Sequence, residues 1–476
     1  MSASRSGVVA AVDLGASSGR VILGHFSEGT VRLEQVARFP NTPVYRSGRL
    51  HWNVDELFRN AADALAEASS QHDILSVGVD SWGVDYGLLR GDQLIGLPHH
   101  YRDQRTAAAS DRVLKRIGAA ELYRRTGVQH MPINTIAQLE DDREAGRLDD
   151  TDCVLLTPDL IGYWLAGARV TERTIASTTG LLGAVTREWD FELVDLLGYP
   201  RRIFSTLVDP GETIAPIRAG HGVSRGATLV AVGSHVTASA VVGIPAVSEE
   251  FAYISCGTWG LVGVELDEPI ITEASQALAF TNEGGVDGRI RFQRNAMGLW
   301  ILNESIRMWE TEDGASVSLP ELLAAAGDVA GPIPIFDAND AAFAAPGDMP
   351  DRISAWLVER GLPVPAGRAA MTRCILESVA QGFADAIRQV GEITGQSIPV
   401  IHIVGGGSQN VPLCRAVANR SGVRVLAGPV EATATGNTLV QGRAAGLING
   451  GIDSLRASVA AVALPREFLP EPRTHA

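Results

Sequence analysis

Two similar strand–turn–strand patterns, about 240 residues apart, constrain the fold more than any other feature of this sequence. Residues 8–26 (VVAAVDLGASSGRVILGHF) and 251–266 (FAYISCGTWGLVGVEL) each place a turn of small residues between two apolar runs. This pattern is typical of a β-hairpin. A hairpin that recurs at this distance predicts two similar half-molecules that face one another. The Gly-Ile-Pro turn at residues 243–245 puts the predicted boundary between domains 1–244 and 245–476.

Strands and helices alternate along the rest of the chain, which indicates an α/β architecture. Residues 55–69 and 371–394 repeat apolar side chains at helical spacing, so both are predicted helices with one buried face. A third glycine-rich turn, HIVGGGSQN at 402–410, follows a predicted strand and precedes a predicted helix. Its three consecutive glycines leave a flat backbone surface on which a base or a ribose can lie.

The first hairpin turn predicts a phosphate site. Gly15, Ala16, Ser17, Ser18 and Gly19 have little side-chain bulk, so their backbone N–H groups can approach an anion. The next residue, an arginine, adds a charged donor. The spacing fits neither GxxxxGK[ST] nor GxGxxG, which excludes a Walker A loop and a dinucleotide turn.

Composition excludes several classes of protein. With 476 residues and 45% hydrophobic residues, the chain is long and apolar enough for two folded domains. Its net charge of −15 opposes binding to nucleic acid or to anionic membranes. No apolar run reaches the roughly 20 residues of a membrane span, and MSASRSG at the N-terminus predicts a short disordered leader rather than a signal peptide.

The four cysteines are far apart and form no CxxC motif, which favours reduced thiols in the cytoplasm. Cys256 lies in the second hairpin and is expected to be a small buried side chain rather than a reactive thiol. The histidines at positions 51, 99, 100 and 130 have no companions at metal-ligand spacing, so they are expected to be surface or hydrogen-bonded residues, and no zinc site is predicted.

Nine stretches together form a more specific pattern than any single turn. They are AVDLGASSGR (11–20), WNVDELF (52–58), VDSWGVDYGLL (79–89), YRDQRT (101–106), SHVTASAV (234–241), SCGTWGL (255–261), NAMGLWIL (295–302), HIVGGGSQN (402–410) and GPVEATATGN (428–437). With these motifs, nearly the whole chain resembles the FGGY carbohydrate kinases and, within them, the L-rhamnulose kinases. The resemblance implies two actin-like, ribonuclease-H-like domains with a nucleotide and sugar cleft between them.

The resemblance also implies an activity and its site. A kinase of this kind transfers phosphate from ATP, with Mg²⁺, to a small ketose, and it implies no nucleic-acid or membrane partner. Asp13 would position a water-bound Mg²⁺, a role that suits a carboxylate. The implied nucleotide contacts are Ala16, Ser17, Ser18, Gly19, Arg20, Thr258, Asn303, Gly405 and Gly406. The implied sugar contacts are Gly83, His235, Thr237 and Asn295.

The chain departs from the family pattern at two positions. Where rhamnulose kinases have His-Asp-Thr, this chain has His235, Val236 and Thr237, and the missing aspartate is the family's proton acceptor for the sugar hydroxyl. The family pattern also expects glutamine at Asn303, so this nucleotide contact is one methylene shorter. Valine cannot accept a proton, so turnover is expected to be impaired.

Three explanations of Val236 stay open: a substitution introduced into an active kinase, a natural pseudokinase that only binds sugar or nucleotide, or a kinase in which another group takes the proton. A rescue by His235 is disfavoured, because neighbours on a strand point to opposite faces. Asp80 and Asp85 are further candidate bases, although carboxylates in such loops are more often capping or solvated groups. A kinase for another ketose or deoxysugar is a further alternative, and the sequence leaves the oligomeric state open.

Overall fold

The computed structural model describes residues 6–471. Residues 1–5 of the predicted leader MSASRSG lie outside the described part, whereas its last residue, Gly7, is the first residue of β1. The strands are β1 Gly7–Leu14, β2 Ser18–Ser27, β3 Thr30–Pro40, β4 Val44–Arg46, β5 Arg49–His51, β6 Ile74–Ser81, β7 Tyr86–Arg90, β8 Gln93–Leu94, β9 Cys153–Leu156, β10 Val170–Glu172, β11 Thr206–Val208, β12 Thr213–Pro216, β13 Thr228–Val230, β14 Ala252–Cys256, β15 Trp259–Leu266, β16 Phe280–Gly284, β17 Ile290–Met297, β18 Val400–Val404, β19 Arg424–Ala427 and β20 Arg466–Phe468.

The α-helices are α1 Val54–Ser69, α2 Ala107–Ile117, α3 Ala119–Thr126, α4 Thr135–Glu144, α5 Thr157–Ala166, α6 Arg173–Ala176, α7 Phe191–Leu197, α8 Val236–Val242, α9 Glu273–Ala277, α10 Trp300–Asp313, α11 Leu319–Gly327, α12 Met349–Glu359, α13 Gly367–Thr394, α14 Val411–Ser421, α15 Ala432–Ala444 and α16 Ile452–Ala460. Short 3₁₀ turns lie at Gln104–Thr106, Arg201–Ile203, Ala219–His221, Val286–Gly288, Ala341–Phe343 and Gly406–Gln409. The predicted helices at 55–69 and 371–394 are confirmed as α1 and α13.

The chain divides into two compact units that are not continuous in sequence. The first unit combines Met1–Val247 with Glu265–Phe292 and Ala432–Val462. The second unit combines the three remaining segments, Ser248–Val264, Gln293–Glu431 and Ala463–Ala476. The predicted boundary between residues 244 and 245 divides the chain into two continuous segments. The two units are instead defined by which segments pack together, so the boundary stays a prediction.

The main sheet of the first unit has the strand order β12-β13-β6-β1-β2-β3. Strand β1 is antiparallel to β2 and parallel to β6, so the predicted first hairpin is confirmed. Helix α15 packs closely on this sheet because two glycines leave room. A Cβ added to Gly24 would lie 2.8 Å from Thr438, and one added to Gly442 would lie 2.2 Å from the Phe26 ring.

The second unit contains a sheet whose strands run in the order β17-β15-β14-β18-β19-β20. Strands β14 and β15 are antiparallel, which confirms the second predicted hairpin, and β14 is parallel to β18. The parallel pairing places the end of β14 beside the end of β18, so the hairpin turn and the glycine-rich turn after β18 share one edge of this sheet. Within residues 6–471, no helix combines the length and the apolar character that crossing a bilayer requires.

Candidate functional site

The turn between β1 and β2 presents small residues at the end of the hairpin. Ser17 is exposed, while Ala16 and Ser18 are half-buried. Asn41 stabilises the turn through two hydrogen bonds. Its backbone N–H donates to Ser17 O over 3.0 Å, and its side-chain Nδ2 donates to Gly15 O over 2.9 Å. Gly19 is required by packing, since a Cβ there would lie 2.2 Å from the Phe39 ring. No pattern in the sequence pointed to this role of Asn41.

Two buried carboxylates lie side by side beneath this turn. Asp13 on β1 is opposite Asp80 on β6 in the parallel register, and both are at most 2% exposed. Arg20 Nη2 donates to Asp13 Oδ2, and Asn437 Nδ2 donates to Asp80 Oδ2, each over 2.5 Å. Burial raises the pKa of both carboxyls, and the neighbouring Asp13 charge raises that of Asp80 further. Two carboxylates that are close together and shielded from solvent favour a bound cation or a shared proton.

A chain of amide side chains supports Asp80 from helix α15. Gln441 Nε2 donates to Asn437 Oδ1 over 2.6 Å and to the backbone O of Ala10 over 3.0 Å, and Ser76 Oγ donates to Gln441 Oε1 over 2.7 Å. All these side chains are buried. Asn437 ends the GPVEATATGN motif, but no pattern in the sequence links that motif to Asp80, which precedes it by more than 350 residues.

His235 and Val236 mark the start of helix α8. His235 is the N-cap residue, and Val236 is the first helical residue and is half-buried. The expectation that both residues lie on a strand is therefore wrong. Thr237 follows inside the helix and is 2% exposed. The backbone N–H of Ser81, at the end of β6, donates to Ser234 O over 2.8 Å. The Val236 position therefore lies at the same edge of the sheet as Asp80.

Two charged residues from a distant segment fix the His235 ring. Arg291 Nη2 lies 3.1 Å from His235 Nδ1 and 3.0 Å from Glu283 Oε2, and Glu283 Oε2 is 3.2 Å from the same ring nitrogen. Burial lowers the pKa of His235, so the ring is neutral at pH 7. A guanidinium can only donate and a carboxylate can only accept, so Nδ1 faces one partner of each kind, and these contacts fix the position of the ring rather than the nitrogen that carries the proton. No pattern in the sequence pointed to Glu283 or Arg291.

The loop after β6 carries Gly83 and Asp85. A Cβ on Gly83 would lie 3.0 Å from Thr178 Oγ1, and the next residue, Val84, has a φ of 69° that β-branched residues rarely adopt. Asp85 is fully buried and accepts hydrogen bonds from the side chains of two tryptophans and a glutamine and from a backbone N–H. These donors are Trp52 Nε1 (2.5 Å), Trp82 Nε1 (3.0 Å), Gln138 Nε2 (2.8 Å) and Tyr101 N (3.2 Å).

The expectation that Asp80 and Asp85 are capping or solvated groups is therefore wrong, because both are buried within hydrogen-bond networks. Burial raises the pKa of Asp85 to about 6, although its four donors act in the opposite direction. A carboxylate with four donors holds the loop in place and has little capacity left to accept a substrate proton.

The remaining predicted residues lie in the second unit. Thr258 is in the β14–β15 turn, where its backbone O accepts from Trp300 N over 3.2 Å. Gly298 allows this packing, since a Cβ would lie 2.6 Å from Gly257 O. Asn303 is exposed in the first turn of α10, and Asn295 is half-buried on β17.

The three consecutive glycines after β18 have different roles. Gly405 has a φ of 78°, and a Cβ on Gly407 would lie 2.3 Å from Cys256 Sγ, whereas a Cβ on Gly406 would meet nothing within 4 Å. Gly406 is exposed and its two neighbours are not. Cys256 is 1% exposed, so the prediction of a buried thiol is confirmed. Only Gly406 presents open backbone.

Gly407→Ala is expected to lower the free energy of unfolding by about 1–3 kcal/mol, because the added methyl group overlaps Cys256 Sγ in a packed site. Gly406→Ala is the matched control, with an expected change within about 0.5 kcal/mol. Urea denaturation of both variants measures the difference. Equal stabilities would contradict the close packing of the turn on Cys256.

A small cavity of about 30 Å³ behind Ser234 is lined by two further buried carboxyl groups, Asp159 and Glu172. Glu172 accepts hydrogen bonds from Ser234 N and Thr174 N over 3.1 and 2.7 Å, and burial raises its pKa to about 7. Asp159 Oδ1 accepts from Glu172 N over 3.1 Å, but Oδ2 has no hydrogen-bond partner among the described residues. Burial and the Glu172 charge raise the pKa of Asp159 well above its usual value.

Asp159→Asn is expected to make stability less dependent on pH. A raised pKa means that the folded state keeps a proton that the unfolded state has released, so the free energy of unfolding falls as pH rises above about 3.8. The amide cannot ionise, so at pH 8 the variant should be more stable than the parent by about 1–3 kcal/mol. Urea titrations at pH 5 and 8, with exposed Asp149→Asn as the control, measure this. Identical pH profiles for all three proteins would show that Asp159 is not the titrating group.

The described structure thus brings Asp13, the 16–20 turn, Gly83 and His235–Thr237 into the first unit, and puts the other predicted residues in the second. Comparison with known proteins identifies both halves of the sequence. The N-terminal domain model of the FGGY family of carbohydrate kinases matches residues 8–243, and the C-terminal domain model matches residues 252–445. The chain belongs to the FGGY family of carbohydrate kinases.

Individual FGGY kinases are similar over nearly the whole chain. Rhamnulokinase from Bacteroides thetaiotaomicron is 39% identical over 443 residues, covering 92% of this chain and 90% of that protein. Rhamnulokinase from Pectobacterium carotovorum subsp. carotovorum is 40% identical over 447 residues, with coverages of 92% and 88%. The chain is therefore a sugar kinase whose sequence resembles rhamnulokinases.

Solved structures show the same fold. Ligand-bound xylulose kinase from Lactobacillus acidophilus has a TM-score of 0.79 at 17% identity, covering 98% of this chain and 94% of that one. Plasmodium falciparum glycerol kinase with ADP has a TM-score of 0.77 at 13% identity, with the same coverages. At these identities the likeness concerns the fold alone, and it confirms the predicted two-domain α/β kinase fold.

Proposed function

We propose that this FGGY kinase transfers the γ-phosphoryl group of ATP to O1 of L-rhamnulose, in the cytoplasm, and releases rhamnulose 1-phosphate. The observation that carries the proposal is the identity of 39–40% to rhamnulokinases over 92% of the chain. The proposed sugar contacts are Gly83, His235, Thr237 and Asn295. The arrangement of His235 supports this assignment, because a neutral ring whose Nδ1 is held by Arg291 and Glu283 keeps its other nitrogen, Nε2, in a fixed position for a sugar hydroxyl.

The proposed nucleotide contacts come from three turns and from the first turn of helix α10. They are Ala16, Ser17, Ser18, Gly19, Arg20, Thr258, Asn303, Gly405 and Gly406. The exposed Ser17 and Gly406 support the assignment, since each lies in a turn whose neighbouring residues are held by packing. Backbone N–H groups in such turns can bind phosphate without a change in conformation.

The donor set beneath the first turn fits Mg²⁺. Asp13 would hold the ion through water, because Mg²⁺ keeps several waters and binds through one or two carboxylates and substrate phosphates. The pKa of the adjacent Asp80 is raised by burial and further by repulsion from Asp13, and a bound cation would stabilise the ionised form of this second carboxyl group. Bound Mg²⁺ would offset the charge of the transferred phosphoryl group.

The proton of the attacking hydroxyl has no acceptor at position 236. A general base contributes typically about 10²–10⁴-fold to a rate, while positioning and electrostatics supply most of the remaining catalysis of phosphoryl transfer. We therefore expect slow turnover rather than none. Val236 also favours a second candidate function, a non-catalytic protein that binds sugar or nucleotide through the same residues.

A panel of acceptors tests the substrate. ADP release with MgATP is measured for L-rhamnulose, D-xylulose, D-gluconate and glycerol, on this chain and on Val236→Asp in parallel. The highest kcat/KM is expected with L-rhamnulose. A higher value with another acceptor would reject L-rhamnulose as the substrate. Calorimetric binding of L-rhamnulose with no turnover in either protein would favour the non-catalytic function.

A further inference from the structure

Three potential metal ligands meet on the outer part of the first sheet, outside every residue assigned to the kinase site. His25 lies on β2, Glu34 on β3 and His72 in the connection between α1 and β6. One ligand atom from each residue lies within 4.8 Å of the others, and all three residues are half-buried. The cluster belongs to the first unit and has no counterpart in the function proposed above.

The strand register explains how these residues meet. His25 is opposite Arg32, and Glu34 is opposite Leu23, so His25 and Glu34 are diagonal neighbours on one face of the β2–β3 pair. The other face of β2 packs on α15 through Gly24. Helix α1 then returns the chain to place His72 beside His25, with the ring centroids 5.2 Å apart and the rings nearly perpendicular. Positions 25, 34 and 72 have no metal-site spacing in sequence, so this cluster could not be predicted from sequence alone.

The geometry of His25 points to a third atom between these side chains. Glu34 Oε2 lies 2.9 Å from His25 Nε2, but this nitrogen has no hydrogen-bond partner among the described residues, although it is shielded from solvent. The carboxylate is therefore close to the nitrogen without lying where a ring N–H would point. A metal ion bound to both atoms would satisfy the nitrogen lone pair and the carboxylate charge together.

We propose that His25, Glu34 and His72 bind a divalent transition-metal ion of the Zn²⁺ class. Two imidazole nitrogens and one carboxylate oxygen are a common donor set for zinc, with water in the open position. Mg²⁺ prefers oxygen ligands and should not occupy the site. The bound ion links β2 and β3, at the edge of the sheet, to the end of α1.

The neighbouring charges set the expected affinity. Arg32 Nη2 lies 3.5 Å from Glu34 Oε2, so this guanidinium competes with the metal for the carboxylate. Its side chain is 68% exposed and can turn into solvent. The adjacent Asp73 is exposed and adds a favourable negative charge. Arg32→Ala keeps all three ligands, and it is expected to tighten metal binding.

The test is calorimetric titration of the full, untagged chain with ZnCl₂ in buffer that contains excess Mg²⁺, and His25→Gln and His72→Gln are titrated in parallel. Each substitution is expected to raise the Kd at least about 100-fold. His221→Gln is the matched control, because His221 is also half-buried but bonds to Trp164 O, outside the cluster. It should bind one Zn²⁺ as the parent does.

Two further readouts separate loss of a ligand from loss of the fold. Zn²⁺ should raise the Tm of the parent, of His221→Gln and of Arg32→Ala, but not that of His72→Gln. The kinase rate should be the same in all of these variants, because none of the substituted residues belongs to the kinase site. The proposal is overturned if the parent binds no Zn²⁺, or if both cluster variants bind it as tightly as His221→Gln does.

Discussion

Val236→Asp is expected to raise kcat for L-rhamnulose by about 10²–10⁴-fold, the contribution of a general base. The carboxylate would stand at the family's proton-acceptor position, on the first turn of α8 and at the same sheet edge as Asp80. The measurement is ADP release at saturating MgATP and L-rhamnulose. In the variant, kcat should also fall at low pH as the new carboxyl group becomes protonated.

Val236→Asn is the matched control for this gain. Asparagine has nearly the shape of aspartate and also adds a polar group to the site, but its amide both donates and accepts hydrogen bonds and cannot take a proton at neutral pH. Neither substitution should unfold the helix, because Val236 is half-buried at a helix N-terminus, where a negative charge is favourable by about 0.3–1 kcal/mol. A gain in both variants would mean that polarity rather than a base was missing.

High and equal rates in the parent and Val236→Asp would show that another group already accepts the proton. In that case the neutral His235 would be the first residue to substitute. No measurable rate in either protein would remove the simple explanation that only the base is lacking, and would favour the non-catalytic function.

Arg291→Met is expected to lower the free energy of unfolding by about 3–5 kcal/mol, because it breaks the buried ion pair between Arg291 and Glu283. Arg291 is fully buried, and its guanidinium contacts Glu283 and His235 and donates to Gly284 O over 2.9 Å. Urea denaturation measures the loss. The double variant Arg291→Met, Glu283→Gln should be more stable than the single one, since it also removes the buried charge that has lost this ion pair.

Exposed Arg388→Met, on α13, is the control for the loss of an arginine, with an expected change within about 0.5 kcal/mol. In the Val236→Asp background, Arg291→Met should also raise the KM for the sugar, because the His235 ring loses the contact that orients it. A loss of stability below about 1 kcal/mol would mean that Glu283 is not held as a charged group by Arg291.

The local features of the fold could be predicted from sequence, because they depend on residues close together in the chain. Both hairpins and the helices α1 and α13 follow from apolar periodicity and small-residue turns. The motifs at Asp13 and His235 were found for the same reason. The interpretation of Asp80 and Asp85 as solvated groups was wrong, because burial depends on elements that arrive from elsewhere in the fold.

The supporting residues could not be predicted, for a related reason. Asn437 supports Asp80, and Arg291 supports His235, across long separations in sequence. A lone asparagine in a small-residue helix, or a lone arginine in a strand, is more often a surface residue than a partner for a buried charge. Only the pairing of distant segments distinguishes these residues from their many exposed counterparts.

The return of α15 to the first sheet has a consequence for synthesis of the chain. Gln441 bonds to Ala10 and Asn437 bonds to Asp80 across 431 and 357 residues. On a ribosome adding about 5–20 residues per second, β1 emerges on the order of tens of seconds before its partners exist. The first unit therefore cannot complete its core until the second has emerged, and a stalled or truncated nascent chain would leave the Asp13 and Asp80 strands without the helix that covers them.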